Sequence, residues 1–283
     1  MEKVNKIAAV TAFLSPSSFY EIYLINGFEK KNMELGGKYV INQHSTAGNV
    51  DRKKQFIQDV LAGHTADGII SMFLRFDCED LAALKTNNIP VVFIDEEVDG
   101  YNSVKSDSFK GAYIATEYLI KKDRKKIGLV VGQMQTEGVG ITPLERLNGY
   151  KRAIEDYGLK YDEKFVYEVM DYSFEDGERA LAEFTKRGLG IDGVFSAAGD
   201  MCALGVMDEA DRQGIEVPAK LSVIGYDDIS MASLSRPKLT TIKQPIEEMG
   251  KEAFRILVDE IEGKGSKPGQ IVFDPILVER NSC

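Results

Sequence analysis

The stretch SVIGYDDISMASLSRPKLTTIKQP, residues 222–245, decides how the chain is read. It continues an apolar, β-branched run, Leu221 to Gly225, in which polar and apolar positions do not alternate. Such a run is a strand covered on both faces, as in parallel sheets flanked by helices. Tyr226, Asp227 and Asp228 follow at its carboxyl end. A polar segment with Arg236-Pro237 then leads to a second β-branched run, Leu239 to Ile242, closed by Gln244-Pro245. Two carboxylates and a glutamine therefore stand at the ends of adjacent strands, with no histidine or nucleophile beside them.

Outward from this stretch, apolar runs alternate with helical patterns along the whole chain. Strands are predicted at Ile7 to Phe13, Lys38 to Asn42, Gly68 to Phe73 and Val91 to Asp95, with helices near Ser18 to Met33, Val50 to Ala62 and Cys78 to Thr86. A second series has strands at Lys126 to Val131, Phe165 to Val169, Gly193 to Ala197, Leu221 to Gly225 and Leu239 to Ile242. Its helices lie near Ser108 to Lys122, Pro143 to Tyr157, Phe174 to Lys186 and Met201 to Gln213. Strands alternating with helices of this length are βαβ units and imply parallel sheets, an α/β fold. The segment DEEVDGYNSVKSDSFKG (95–111) breaks the rhythm and marks a seam between two lobes of similar layout. After Gln244-Pro245 a late amphipathic helix places Ile246, Met249, Ala253, Ile256 and Leu257 at helical spacing, with Glu247 and Glu248 in its first turn.

Composition narrows the function. The 283 residues carry 45 acidic and 35 basic side chains, a formal charge of −10, which argues against a clustered basic face gripping a phosphate backbone. No run approaches the roughly 20 apolar residues of a membrane helix, and the N-terminal MEKVNKIAAVTAFL reads as a first strand rather than a secretory signal. Cys78, Cys202 and Cys283 are widely spaced and form neither a disulfide framework nor a zinc site. A reducing cytoplasm is expected.

Open parallel sheets bind ligands outside the carboxyl ends of their strands. The candidate segments there are FLSPSSFY (13–20), SMFLRF (71–76), IDEEVD (94–99), GQMQTEGVG (132–140), SAAGDM (196–201) and GYDDIS (225–230). Asp107, Asp200 and Asp228 precede helices and read as N-caps. Asp227 is then left over, an acceptor suited to ligand hydroxyls or an amine. Asp95 has the same placement, as a ligand contact or part of a solvated acidic face. Phe19 and Tyr20 either stack on a ring-shaped ligand or form a staple at the helix start. Met72, Phe73 and Phe76 read as core or lobe-interface residues rather than ligand contacts, and Arg146 as a surface helix residue or an anion ligand, with the surface reading favoured. His44 and His64 lie away from the cluster. No GxSxG, HExxH, P-loop or ordered GxGxxG is present, so no catalytic residue, metal or cofactor is expected and binding is favoured over catalysis.

Together these residues resemble the effector domain of the LacI/GalR transcription regulators. Besides 222–245, the resemblance runs in order through SPSSFY, NGFEK, DGIIS, IPVVFID, SDSFKGAYIATEYLI, RLNGYKRAIEDYGL, FEDGERAL, GVFSAAGDMCALGVMDEADRQGIEVP and LVERNS, essentially the whole chain. It implies a periplasmic-binding-protein-like type I fold: two Rossmann-like lobes joined by three crossings, with the effector between them. The lobes are expected at 1–104 plus 243–270 and at 105–242 plus 271–283. Asp227 and Gln244 match effector-contacting positions, and Asp95, Met72 with Phe73, and the Phe19/Tyr20 pair fall at ligand positions of the first lobe. Leu144 stands where many sugar-binding members have arginine, and Gly199-Asp200 where the family often has Asn-Asp. Both departures remove polar sugar contacts and widen the expected effector to a sugar, a sugar phosphate, a nucleoside or purine, or a protein corepressor.

The resemblance further implies a regulator, a repressor, that works as a homodimer. Leu81, Leu84 and the 246–257 helix are its candidate contacts, each with a place in the core as the other reading. Operator DNA is expected to be met only through an N-terminal helix-turn-helix that this stretch does not include. A transport solute-binding protein and a carbohydrate-active enzyme are the alternative functions.

Overall fold

The computed structural model describes residues 5–11, 19–46, 49–63, 65–74, 76–134, 141–265 and 267–283. In chain order these form β1 (Asn5–Thr11), α1 (Phe19–Glu34), β2 (Tyr39–Ser45), α2 (Val50–Leu61), β3 (Gly68–Met72), α3 (Cys78–Thr86), β4 (Val91–Ile94) and β5 (Asn102–Ser106). There follow α4 (Ser108–Lys121), β6 (Ile127–Gly132), α5 (Thr142–Asp156), β7 (Val166–Val169), α6 (Phe174–Lys186), β8 (Gly193–Ser196) and α7 (Asp200–Arg212). The chain closes with β9 (Ser222–Tyr226), α8 (Ser230–Leu234), β10 (Thr240–Lys243), α9 (Ile246–Ile261), β11 (Gln270–Phe273) and β12 (Ile276–Val278). The expected α/β alternation is present, with boundaries shifted by up to three residues. The end of the first predicted strand, the loops 12–18 and 135–140, and His64 lie outside the described residues.

The chain divides into two compact units. One holds β1 to β5 with α9 and β11; the other holds α4 to β10 with β12, and the chain changes unit after Ser106, Gln244 and Phe273. The first unit's sheet has the order β11-β5-β4-β3-β1-β2, all pairs parallel. The second has the order β12-β10-β9-β8-β6-β7, parallel except for the edge pair β10/β12. In each sheet the first strand of its series, β1 or β6, lies between the second and the third. That reversal is a topological switch point, and the carboxyl ends of strands beside it are where open α/β sheets bind ligands.

Each sheet is buried by helices on both faces, which is why β3, β4, β6, β8 and β9 are buried along their whole length. In the first unit Phe254 on α9 stacks on Phe28 of α1 (6.4 Å between centroids) and meets Tyr39 edge-on at 5.8 Å. Truncating such a side chain costs about 3–5 kcal/mol. Gly27 and Gly250 let α1 and α9 touch backbone to backbone: a Cβ at Gly27 would stand 2.3 Å from the Glu247 carbonyl oxygen. Leu81, Leu84, Ile246, Met249, Ala253, Ile256 and Leu257, the candidate contacts for pairing, are all buried within this unit's own core.

Candidate functional site

Among the described residues, non-glycine residues with a positive φ are Phe73, Asn88, Asp95, Asp123, Tyr172, Asp227 and Asp228. Asn88 and Asp123 end helices. The other five stand just past the carboxyl ends of β3, β4, β7 and β9. Left-handed backbone is costly for L-residues and persists where the surroundings over-determine it, characteristically at binding sites. The strain therefore maps onto the strand ends that the topology singles out.

In the first unit the sequence-predicted residues converge in part. Tyr20 donates its hydroxyl to the Asp95 carboxylate, and its ring packs on Phe73 with centroids 5.1 Å apart. Asp95 is buried, its backbone N–H held by the Val104 carbonyl at 3.0 Å. Phe73 and Phe19 are half-buried, whereas Met72 is 1% exposed and packs in the core with Tyr20 and Ile94. Met72 thus serves packing.

In the second unit Asp227 and Gln244 meet directly. Gln244 Nε2 donates to Asp227 Oδ1 at 2.7 Å, and the Asp227 backbone N–H donates to the Ile242 carbonyl at 2.7 Å. Gln244 is 3% exposed, and its buried Oε1 has no hydrogen-bond partner among the described residues. The bond fixes the amide's orientation, because a flipped amide would set its oxygen against the carboxylate. Burial pushes the Asp227 carboxyl up from its ordinary range, opposed by the Arg146 charge and the Gln244 bond.

Three expectations are corrected here. Arg146 is not a surface residue: it is 8% exposed, donates to the Ala197 carbonyl at 2.6 Å, and stacks its guanidinium 3.9 Å above the Tyr226 ring. It packs inward because α5 presents it on the same face as Tyr150 and Ala153, both buried. Asp228 does not cap α8, whose N-cap is Ile229; it pairs with Arg280 at 2.5 Å, with Lys243 at 3.8 Å. Asp200 does not cap α7 either, whose N-cap is Gly199; its buried carboxyl accepts from Thr241 and from the Ile229 backbone. Asp107 is the cap it was expected to be, accepting from Lys110 N–H at 2.8 Å.

Sequence reasoning also missed Tyr172. Its ring lies over the end of β6, where a Cβ on Gly132 would stand 1.8 Å from the tyrosine oxygen, and it remains 38% exposed. Leu144, at the family's arginine position, is an exposed side chain. His44 lies on the edge strand β2, its ring 5.0 Å from Phe56. No group of three His, Cys, Asp or Glu that could hold a metal ion occurs among the described residues. What the arrangement offers a ligand is hydrogen-bond acceptors and aromatic rings on strained, well-fixed backbone.

Known proteins place this fold. The family described as periplasmic binding protein-like domain matches residues 116–283. The HTH-type transcriptional repressor PurR of Escherichia coli O1:K1 / APEC is 30% identical over 285 residues, spanning 99% of this chain and 81% of the relative. A solved complex of the transcriptional regulator CelR with cellobiose superposes with a TM-score of 0.86 at 27% identity, covering 98% of this chain and 84% of that one. A LacI regulator structure from Bacillus cereus subsp. cytotoxis superposes at 0.87 with 22% identity and 99% of both chains, a likeness of fold.

Proposed function

Since this chain belongs to the LacI family of transcription regulators, as its effector-binding domain, we propose that it is the sensing part of a repressor whose effector is a small ligand rich in hydrogen-bond donors. The observation that carries this reading is the pair of acceptors at Asp227 and Gln244, one ionisable and one a buried carbonyl oxygen with no partner among the described residues. Sugar or nucleoside hydroxyls and purine N–H groups supply the donors such a pair needs. A phosphate supplies acceptors and negative charge, so sugar phosphates rank behind their unphosphorylated counterparts. The cellobiose complex of the CelR relative supports a hydroxyl-bearing effector.

The chain's work is binding rather than turnover. The effector changes operator occupancy only by differing in affinity for two states of the protein. A palindromic operator calls for a two-fold protein, so the working form is a homodimer. Ile22 on α1 and Val40 on the edge strand β2, each 47% exposed, are candidate apolar contacts for pairing. Light scattering at micromolar concentration tests this, and a clean monomer contradicts it.

A thermal-shift screen of matched pairs, each sugar or nucleoside beside its phosphate, tests the effector class. Stabilisation by an unphosphorylated member above its phosphate is expected. Stabilisation by the phosphates alone contradicts the donor reading.

A further inference from the structure

Asp200 is a buried acid, 1% exposed, at the first position of α7. Its Oδ2 accepts from the Ile229 N–H at 2.8 Å and its Oδ1 from the Thr241 hydroxyl at 2.5 Å. Ile229 lies two residues after Asp227, and Thr241 lies three residues before Gln244. Room for the carboxyl is made at Gly225, the register partner of Thr241, where a Cβ would stand 2.0 Å from Oδ1. One carboxyl group thus ties the loop that presents Asp227 to the strand that presents Gln244.

We propose that Asp200 is the positioning residue of the Asp227–Gln244 pair, and that its protonation state sets how the pair is held. This rests on the reading of Asp227 and Gln244 as effector contacts, but its test needs no effector.

The chemistry allows both protonation states. The Ile229 N–H can only donate, so Oδ2 stays an acceptor. The Thr241 hydroxyl donates or accepts, so a proton on Oδ1 is accommodated by turning that hydroxyl round. The charged groups facing Asp200 are Asp227 and, further off, Asp228; no cation pairs with it among the described residues. Arg146 acts on Asp227, and Arg280 and Lys243 are engaged with Asp228. Burial, then the Asp227 charge, hold the Asp200 carboxyl well above the ordinary carboxylate range, with Thr241 and Ile229 opposing. The folded chain favours the neutral acid. Its contribution to stability is complete below the ordinary carboxylate range and is lost as pH rises through the raised pKa.

The test follows the Gln244 side-chain amide by nitrogen-15 NMR, with melting temperature, across pH in the unliganded Asp227→Asn chain, where the amide at position 227 still accepts from Gln244 but cannot titrate. In this background the amide signal is expected to titrate with a midpoint above the ordinary carboxylate range, and the melting temperature to fall through the same midpoint. Asp200→Asn supplies an acceptor for Ile229 and a donor for Thr241, so it should hold the signal at its low-pH position and abolish the midpoint. Asp200→Ala removes both ties and should displace the signal at every pH. Thr241→Val removes a hydroxyl that stabilises the ionised form and should move the midpoint up. An Asp200→Asn variant that titrates like the Asp227→Asn parent, an Asp200→Ala variant whose signal stays in place, or a Thr241→Val variant with an unchanged midpoint overturns the proposal. Failure of the effector reading shows up separately, as unchanged ligand affinity in Asp227→Asn.

Discussion

Gln244 donates its side-chain N–H to Asp227 at 2.7 Å and leaves its own buried carbonyl oxygen without a partner among the described residues. An unmet buried acceptor costs about 1–3 kcal/mol, which a ligand donor placed against it would recover. A ligand bound as proposed would relieve that cost.

Replacing Gln244 by methionine removes that unmet oxygen together with the bond to Asp227. The two effects oppose each other, so the free energy of unfolding in urea should change by less than about 1 kcal/mol. Effector affinity, measured by calorimetry, should fall about tenfold, the loss of one hydrogen bond. A variant that binds as tightly as the wild type would place the ligand elsewhere.

Effector affinity should depend on pH through Asp227. Burial pushes its carboxyl up, and a donor ligand favours the ionised form. Affinity is expected to be flat above the raised pKa and to weaken about tenfold for each unit of pH below it. Stability runs the other way: this group's contribution is complete below the ordinary carboxylate range and lost as pH rises through the raised pKa. Calorimetry and thermal melts over the same pH series should show the opposite slopes, and Asp227→Asn should flatten the affinity profile and remove this group's share of the stability slope.

Tyr20→Phe removes a donor from the buried Asp95 carboxylate while keeping the ring against Phe73. A loss of about 1–3 kcal/mol is expected in denaturant unfolding. Unchanged stability would mean that the hydroxyl carries no net weight in the first unit.

Arg146→Lys keeps the charge and loses the planar group that lies over Tyr226 while donating to Ala197. A lysine cannot do both. The melting temperature should drop, and the Asp227 midpoint should shift less than in Arg146→Leu, which removes the opposing charge altogether. Carboxyl carbon-13 titration would show the order.

Much of the fold was legible because buried parallel strands announce themselves as unbroken apolar runs. The βα alternation, the seam near Ser106 and the late helix were all read from spacing. The roles of Asp200, Asp228 and Arg146 were not. An aspartate before a helix looks like a cap to any rule that sees only its neighbours along the chain. Asp200 instead answers to Thr241 and Ile229, and Asp228 to Arg280, partners brought close only by folding. For Arg146 a signal existed, since it shares a helical face with Tyr150 and Ala153. Tyr172 had none: what seats it is the bare backbone of Gly132 on a neighbouring strand.

The most direct measurement is a calorimetric titration of the best unphosphorylated hit into the wild type and into Asp227→Asn. The amide can still accept from Gln244 but no longer offers a charge to the ligand. The hydrogen bond to a charged group is worth about 1.5–3 kcal/mol, so binding should weaken about ten- to a hundredfold, with little change in melting temperature. Equal affinity in the two proteins would contradict the assignment of Asp227 as the effector's anchor.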